Sequence, residues 1–134
     1  MRPSSPRQRG FTLMELLVVM TILALLTTVG LVGYRYKTQV AREAVLKENL
    51  FQINHALEQY RADRGKYPSG LQPLRELGYL RDIPWDPITQ SRDTWQLELE
   101  SPDPDSPDAE VGVWRVRSGS TDKSPFNGIP YNEW

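Results

Sequence analysis

The sequence predicts an α+β fold. A long N-terminal helix, apolar in its first half and amphipathic in its second, should lead into a small head built on a short antiparallel sheet. Three observations predict this. No charged residue lies between Glu15 and Arg35. Beyond Arg35 the apolar residues recur at helical steps. No proline falls between Pro6 and Pro68, whereas prolines and glycines break up the remainder at short intervals.

The elements are taken in chain order. Residues 16–34 form an uncharged run of 19 residues. As a helix it would be roughly 28 Å long, close to the roughly 30 Å of a bilayer core. Arg2, Arg7 and Arg9 precede it, with no acid before Glu15. The positive-inside rule then holds the N-terminus in the cytoplasm and sends the head outward. An ordinary secretory signal has a shorter apolar core and a small-x-small cleavage site. Thr27-Thr28-Val29-Gly30 is a poor one.

Val40, Leu46, Leu50, Ile53, Leu57 and Tyr60 make one stripe of an amphipathic continuation. One helix over 12–63 would be on the order of 75 Å long. Gly65 can close it in the left-handed conformation, and Pro68 cannot extend it. Leu71, Leu74 and Leu77 suggest a short helix within 69–78, ended by Gly78. Trp95, Leu97 and Leu99 alternate with Gln96 and Glu98, as in a half-buried strand. A second strand is expected over 111–117, with Val113, Trp114, Arg115 and Val116 at its middle. Trp95 and Trp114 are expected in the core, where a small head needs large side chains. Trp85 and Trp134 fall in loops, where a neighbouring molecule could touch them. The organisation is thus 1–10, a basic leader; 11–34, a membrane helix; 35–64, its amphipathic half; and 65–134, the head.

Composition excludes several functions. The chain has 134 residues, a formal net charge of −1, no cysteine and one histidine. No disulfide, thiol catalysis or thiolate metal site is possible, nor any mechanism needing two histidines. The balanced charge argues against nucleic acid as a partner. No phosphate-cradling glycine loop or zinc-protease motif occurs, and no catalytic constellation is visible, so an enzyme is not expected. Asp103, Asp105, Asp108 and Glu110 lack EF-hand spacing and read as a solvated turn. His55 reads as a surface or packing residue on the helix.

Glu15 is the charge in an unusual place. A carboxylate within a membrane helix costs up to about 3 kcal/mol, so it either marks the water boundary or has a task and a partner. Its surroundings, Arg9-Gly10-Phe11-Thr12-Leu13-Met14-Glu15-Leu16, resemble the processing motif of class III signal peptides in the type IV pilin and pseudopilin superfamily. The resemblance implies a pilin-like fold and cleavage between Gly10 and Phe11 by a membrane peptidase, which also N-methylates Phe11. It also implies that Glu15 governs assembly. Cleavage would leave an ammonium group on Phe11, which the Glu15 carboxylate of a neighbouring copy can pair. Breaking a buried pair costs about 3–5 kcal/mol, so a subunit out of register would be penalised. One departure is Val32, where family members often carry proline. Gly30 and Gly33 flank it and either weaken the helix there or allow close helix packing.

Within the superfamily, Asn54-x2-Leu57-x2-Tyr60-x2-Asp63-x-Gly65-x-Tyr67-Pro68 resembles the region after the long helix in the major, G-type pseudopilins of type II secretion. Gly78-Tyr79-Leu80-Arg81-Asp82-Ile83-Pro84-x-Asp86-Pro87 and the ending Asn132-Glu133-Trp134 are similar to that family too. The lack of cysteine agrees, since type IV pilins often close their C-terminal region with a disulfide. The resemblance implies an inner-membrane subunit with a periplasmic head. It would polymerise with copies of itself into a pseudopilus that drives protein export. Its partners would be the prepilin peptidase, other pseudopilins, an inner-membrane assembly platform and, before assembly, membrane lipid. The alternatives are a type IV pilus subunit and a membrane-anchored periplasmic binding module that does not polymerise. Family members also bind calcium in the C-terminal loop. Here that loop offers Ser118, Ser120, Asp122, Asn127 and Asn132, fewer carboxylates than the family pattern.

Overall fold

The computed structural model describes residues 10–134. Arg2, Arg7, Arg9 and the rest of the expected leader before Gly10 lie outside the described residues. In order come α1 (Leu13–Arg64), α2 (Gln72–Glu76), β1 (Gln96–Leu99), β2 (Val113–Arg117) and a 3₁₀ turn at Tyr131–Glu133. The α1 helix runs 52 residues, as the proline-free stretch predicts. The fold is the expected α+β, pilin-like arrangement of one long N-terminal helix and a small antiparallel sheet.

The chain divides into two units, Met1–Gln39 and Val40–Trp134. In the first, every described residue up to Lys37 is exposed. The helix is long and apolar enough there to cross a membrane. Four of its threonine hydroxyls bond the helix's own backbone. Thr21, Thr27, Thr28 and Thr38 each donate to the carbonyl four residues back, at 2.8, 2.7, 2.9 and 2.9 Å. Hydroxyls satisfied in this way add little cost in lipid.

The second unit has its own core. From α1 it takes Leu46, Leu50, Ile53, Ala56, Leu57 and Tyr60. From the rest it takes Tyr67, Leu71, Leu74, Leu80, Trp95, Val113, Val116 and Tyr131. Two members of the expected stripes fall outside it. Val40 is 43% exposed, and the buried position one turn before Leu46 is Glu43. Leu77 is 47% exposed, because α2 ends at Glu76 and the chain turns there. The end of α1 is built as expected: Gly65 has φ +76° and its N–H reaches the Arg61 carbonyl at 2.7 Å.

The sheet departs most from expectation. β1 and β2 pair antiparallel, Leu97 opposite Val116 and Glu98 opposite Arg115, but Leu99 faces Val113. Trp114 is therefore an extra residue, a bulge. Val113 and Val116, three apart, both reach the core, and Trp114 turns outward, 41% exposed. The tryptophan expected in the core is thus at the surface. Leu97 and Leu99 are exposed as well, so the alternation does not yield a half-buried strand. Trp95, just before β1, is buried, and its Nε1 donates to the Pro84 carbonyl at 2.9 Å. Trp85 is exposed and Trp134 half-buried, as loop positions suggested.

Polar clamps hold the head to α1. Asn54 accepts the Val116 N–H at 2.9 Å and donates to the Val116 carbonyl, so the helix closes the bulged strand's free backbone. Asn49 donates to the Trp85 carbonyl at 2.7 Å. Tyr79 donates to Asp63 at 2.8 Å. The Val113 N–H reaches the Pro68 carbonyl at 2.8 Å. At Gly119 the backbone passes so close to Thr94 that a Cβ would run into the Thr94 carbonyl oxygen.

Candidate functional site

Two places carry the functional expectations: the start of α1 and the C-terminal loop. At the first, Gly10 and Phe11 precede the helix and are exposed, Phe11 by 81%. Thr12 is the cap. Its Oγ1 accepts the Glu15 N–H at 3.2 Å, with Glu15 in the first turn. Thr12-Leu13-Met14-Glu15 has the spacing of a capping box, a signal that a reading focused on the carboxylate misses. Glu15 is exposed, and among the described residues no cation lies in ion-pair range of it. Gly30 and Gly33 have open space where a Cβ would stand.

At the second place, three of the five candidate calcium ligands, Ser118, Ser120 and Asn127, have side chains engaged in separate local tasks. Ser118 is buried, and its hydroxyl donates to Asp86 at 2.7 Å. Ser120 Oγ accepts the Asp122 N–H, and Asn127 Oδ1 accepts the Ile129 N–H. The Ser120 and Asp122 carbonyls accept the N–H groups of Asn132 and Tyr131, both at 2.9 Å. Asp122 is exposed. Of the five, Asn132 Oδ1 alone is a buried side-chain oxygen without a partner. Among the described residues, no three Asp, Glu or His side chains gather as a metal site. The acidic loop is likewise an exposed turn, closed by the Ser106 N–H on the Asp103 carbonyl. His55 is exposed and stacks on Phe51 with ring centres 5.7 Å apart.

Two carboxylates not singled out from the sequence organise this region. Glu43, 7% exposed, accepts the Ser124 and Tyr131 hydroxyls on one oxygen, both at 2.7 Å. Asp86, fully buried, accepts the Ser118 hydroxyl and the N–H groups of Ile88 and Thr89. Glu43 had a legible signal. It fills the six-residue gap between Val40 and Leu46, which places a charge on the apolar stripe.

Comparison with known proteins bears on the first place and on the chain's family. The family model for the prokaryotic N-terminal methylation motif matches residues 5–31, a span that includes Gly10, Phe11 and Glu15. The chain is 31% identical over 100 residues to the type II secretion system core protein G of Pectobacterium carotovorum subsp. carotovorum, covering 63% of this chain and 64% of that one. Against the Klebsiella pneumoniae protein of the same name, identity is 27% over 135 residues, or 82% and 96% of the two chains. Against that of Pseudomonas aeruginosa it is 32% over 97 residues, or 60% and 68%. No solved structure matches the chain. A methylation motif at the head of a long apolar helix and relatives that all carry one name lead to one conclusion: the chain belongs to the type II secretion system core protein G family of pseudopilins.

Proposed function

We propose that this pseudopilin subunit matures by cleavage between Gly10 and Phe11 with N-methylation of Phe11, and then polymerises into a periplasmic pseudopilus. The observation that carries the reading is the first unit: described residues 10–37 are all exposed, with no core against which to bury them. So large an apolar surface calls for lipid or other helices. Before assembly it resides in the inner membrane, with the N-terminus cytoplasmic and the head periplasmic. In the filament it packs against the same segment of other copies through heterologous, non-closing contacts. The Glu15 carboxylate pairs with the Phe11 ammonium of a neighbour and sets the register, since an unmatched buried charge is costly. The prepilin peptidase, other pseudopilins and the assembly platform are its partners. Its work is mechanical, and no residue is assigned catalysis. The relatives' shared name favours type II secretion over a type IV pilus.

The test is the intact mass and N-terminal sequence of membrane-extracted protein from cells with and without a prepilin peptidase. A peptidase-dependent chain beginning at Phe11 and heavier by one methyl group is expected. With Glu15→Ala, processing is retained and filaments are lost. A chain still beginning at Met1, or cut near Thr28, overturns the reading.

A further inference from the structure

The family resemblance implies calcium in the C-terminal loop, but the residues present do not fit one. Calcium takes six to eight oxygens. Here the candidate oxygens are scattered over different tasks: that of Asn132 is buried without a partner, the Asp122 carboxylate is exposed, and Ser118, Ser120 and Asn127 hold local hydrogen bonds. The charge is wrong too. Between residues 118 and 134 Asp122 and Glu133 are the two acids, and Lys123 stands beside Asp122.

We infer that Glu43 takes over the task of a loop cation, fastening the C-terminal loop to α1 from the helix side. Where a cation would gather acceptors, Glu43 gathers donors. The Ser124 and Tyr131 hydroxyls meet on its Oε1, at 2.7 Å each, across 81 and 88 residues of chain. Hydrogen bonds to a charged acceptor are the strong ones, and burial excludes competing water. The loop between the two donors is closed by its own backbone. The Ser124 N–H reaches the Ile129 carbonyl at 3.0 Å, and the Gly128 N–H returns to the Ser124 carbonyl at 2.9 Å. Ser124 Oγ also accepts the Phe126 N–H, so the hydroxyl both donates and accepts. Asp86 does the same at the loop's start through Ser118. The loop is held at both ends by buried carboxylates, with no remaining role for a cation.

The fold provides a local reporter. Lys123 is exposed, while Ser124 beside it is buried under Glu43, so trypsin can cut between them only when the loop lifts. The experiment follows that cut by mass in the full chain in detergent, with chelator or with millimolar calcium. Wild-type cleavage and Tm are expected to be the same in both. Glu43→Ala leaves two buried hydroxyls without their acceptor and should speed the cut by about tenfold or more. Ser124→Ala and Tyr131→Phe, each removing one donor, should speed it less, and they test the latch should Glu43→Ala fail to fold. Faster wild-type cleavage in chelator, reversed by calcium, overturns the inference. So does unchanged cleavage in the folded variants. The cut falls in the second unit and Gly10 and Phe11 belong to the first, so it is read separately from processing and assembly.

Discussion

Tyr67 sits where the long helix hands over to the head. It is buried, donates to Glu58 at 2.8 Å and accepts from Arg61 at 3.1 Å. Burial first, and then the bond to Glu58, push its hydroxyl above the ordinary value of 10.0, with Arg61 opposing. The folded state therefore favours the neutral phenol. Its contribution is complete below pH 10.0 and is lost as pH rises through the higher folded value, because the unfolded chain releases the proton first. Urea unfolding across alkaline pH should show stability falling above that point, and falling less steeply in Tyr67→Phe. At neutral pH that variant should cost about 1 kcal/mol. A wild-type curve flat through this range would contradict the assignment. Tyr67 and Gly65 were legible in the sequence, because a glycine and a proline bracket the helix stop. Gly119 was not. Its constraint is the passing Thr94 carbonyl, a contact made by chain path rather than by local pattern.

At the scale of elements, the long helix was legible almost to its ends, and the sheet was not. Helical periodicity depends on one segment meeting one core, and Leu46, Leu50, Ile53, Leu57 and Tyr60 all meet it. Strand alternation is fragile, because a single inserted residue reverses the facing of every later residue in the strand. The bulge at Trp114 does this, sending Val113 and Val116 inward together. Glu43 is half legible: the charge on the stripe shows in the sequence, but its task depends on hydroxyl partners 81 and 88 residues away. The difference has an energetic consequence. Leu57→Ala empties a fully buried site and should cost about 2–5 kcal/mol. Leu99→Ala, at a leucine 57% exposed in the sheet, should stay within about 0.5 kcal/mol. Chemical denaturation of both variants checks the pair, and equal losses would mean that the sheet's outer face is covered.

For the whole molecule, the two units have opposite requirements. Every residue of the buried hydrophobic core lies at or beyond Leu46, and the polar clamps at Glu43, Asn49, Asn54 and Asp63 lie in the same unit. The described residues before it supply apolar surface and no core. Stability of the head should then be independent of the apolar half. A fragment of residues 36–134 keeps two helical turns ahead of Glu43, enough to support that side chain although the new end will fray. It should be soluble without detergent, unfold cooperatively and match the Tm of the full chain in micelles within a few degrees. Calorimetry of the two side by side decides it. A fragment that is unfolded would mean that the head draws stability from the membrane segment. A fragment that matches would confine the apolar half to contacts with lipid and other subunits, the division of labour that a subunit moving from bilayer to filament requires.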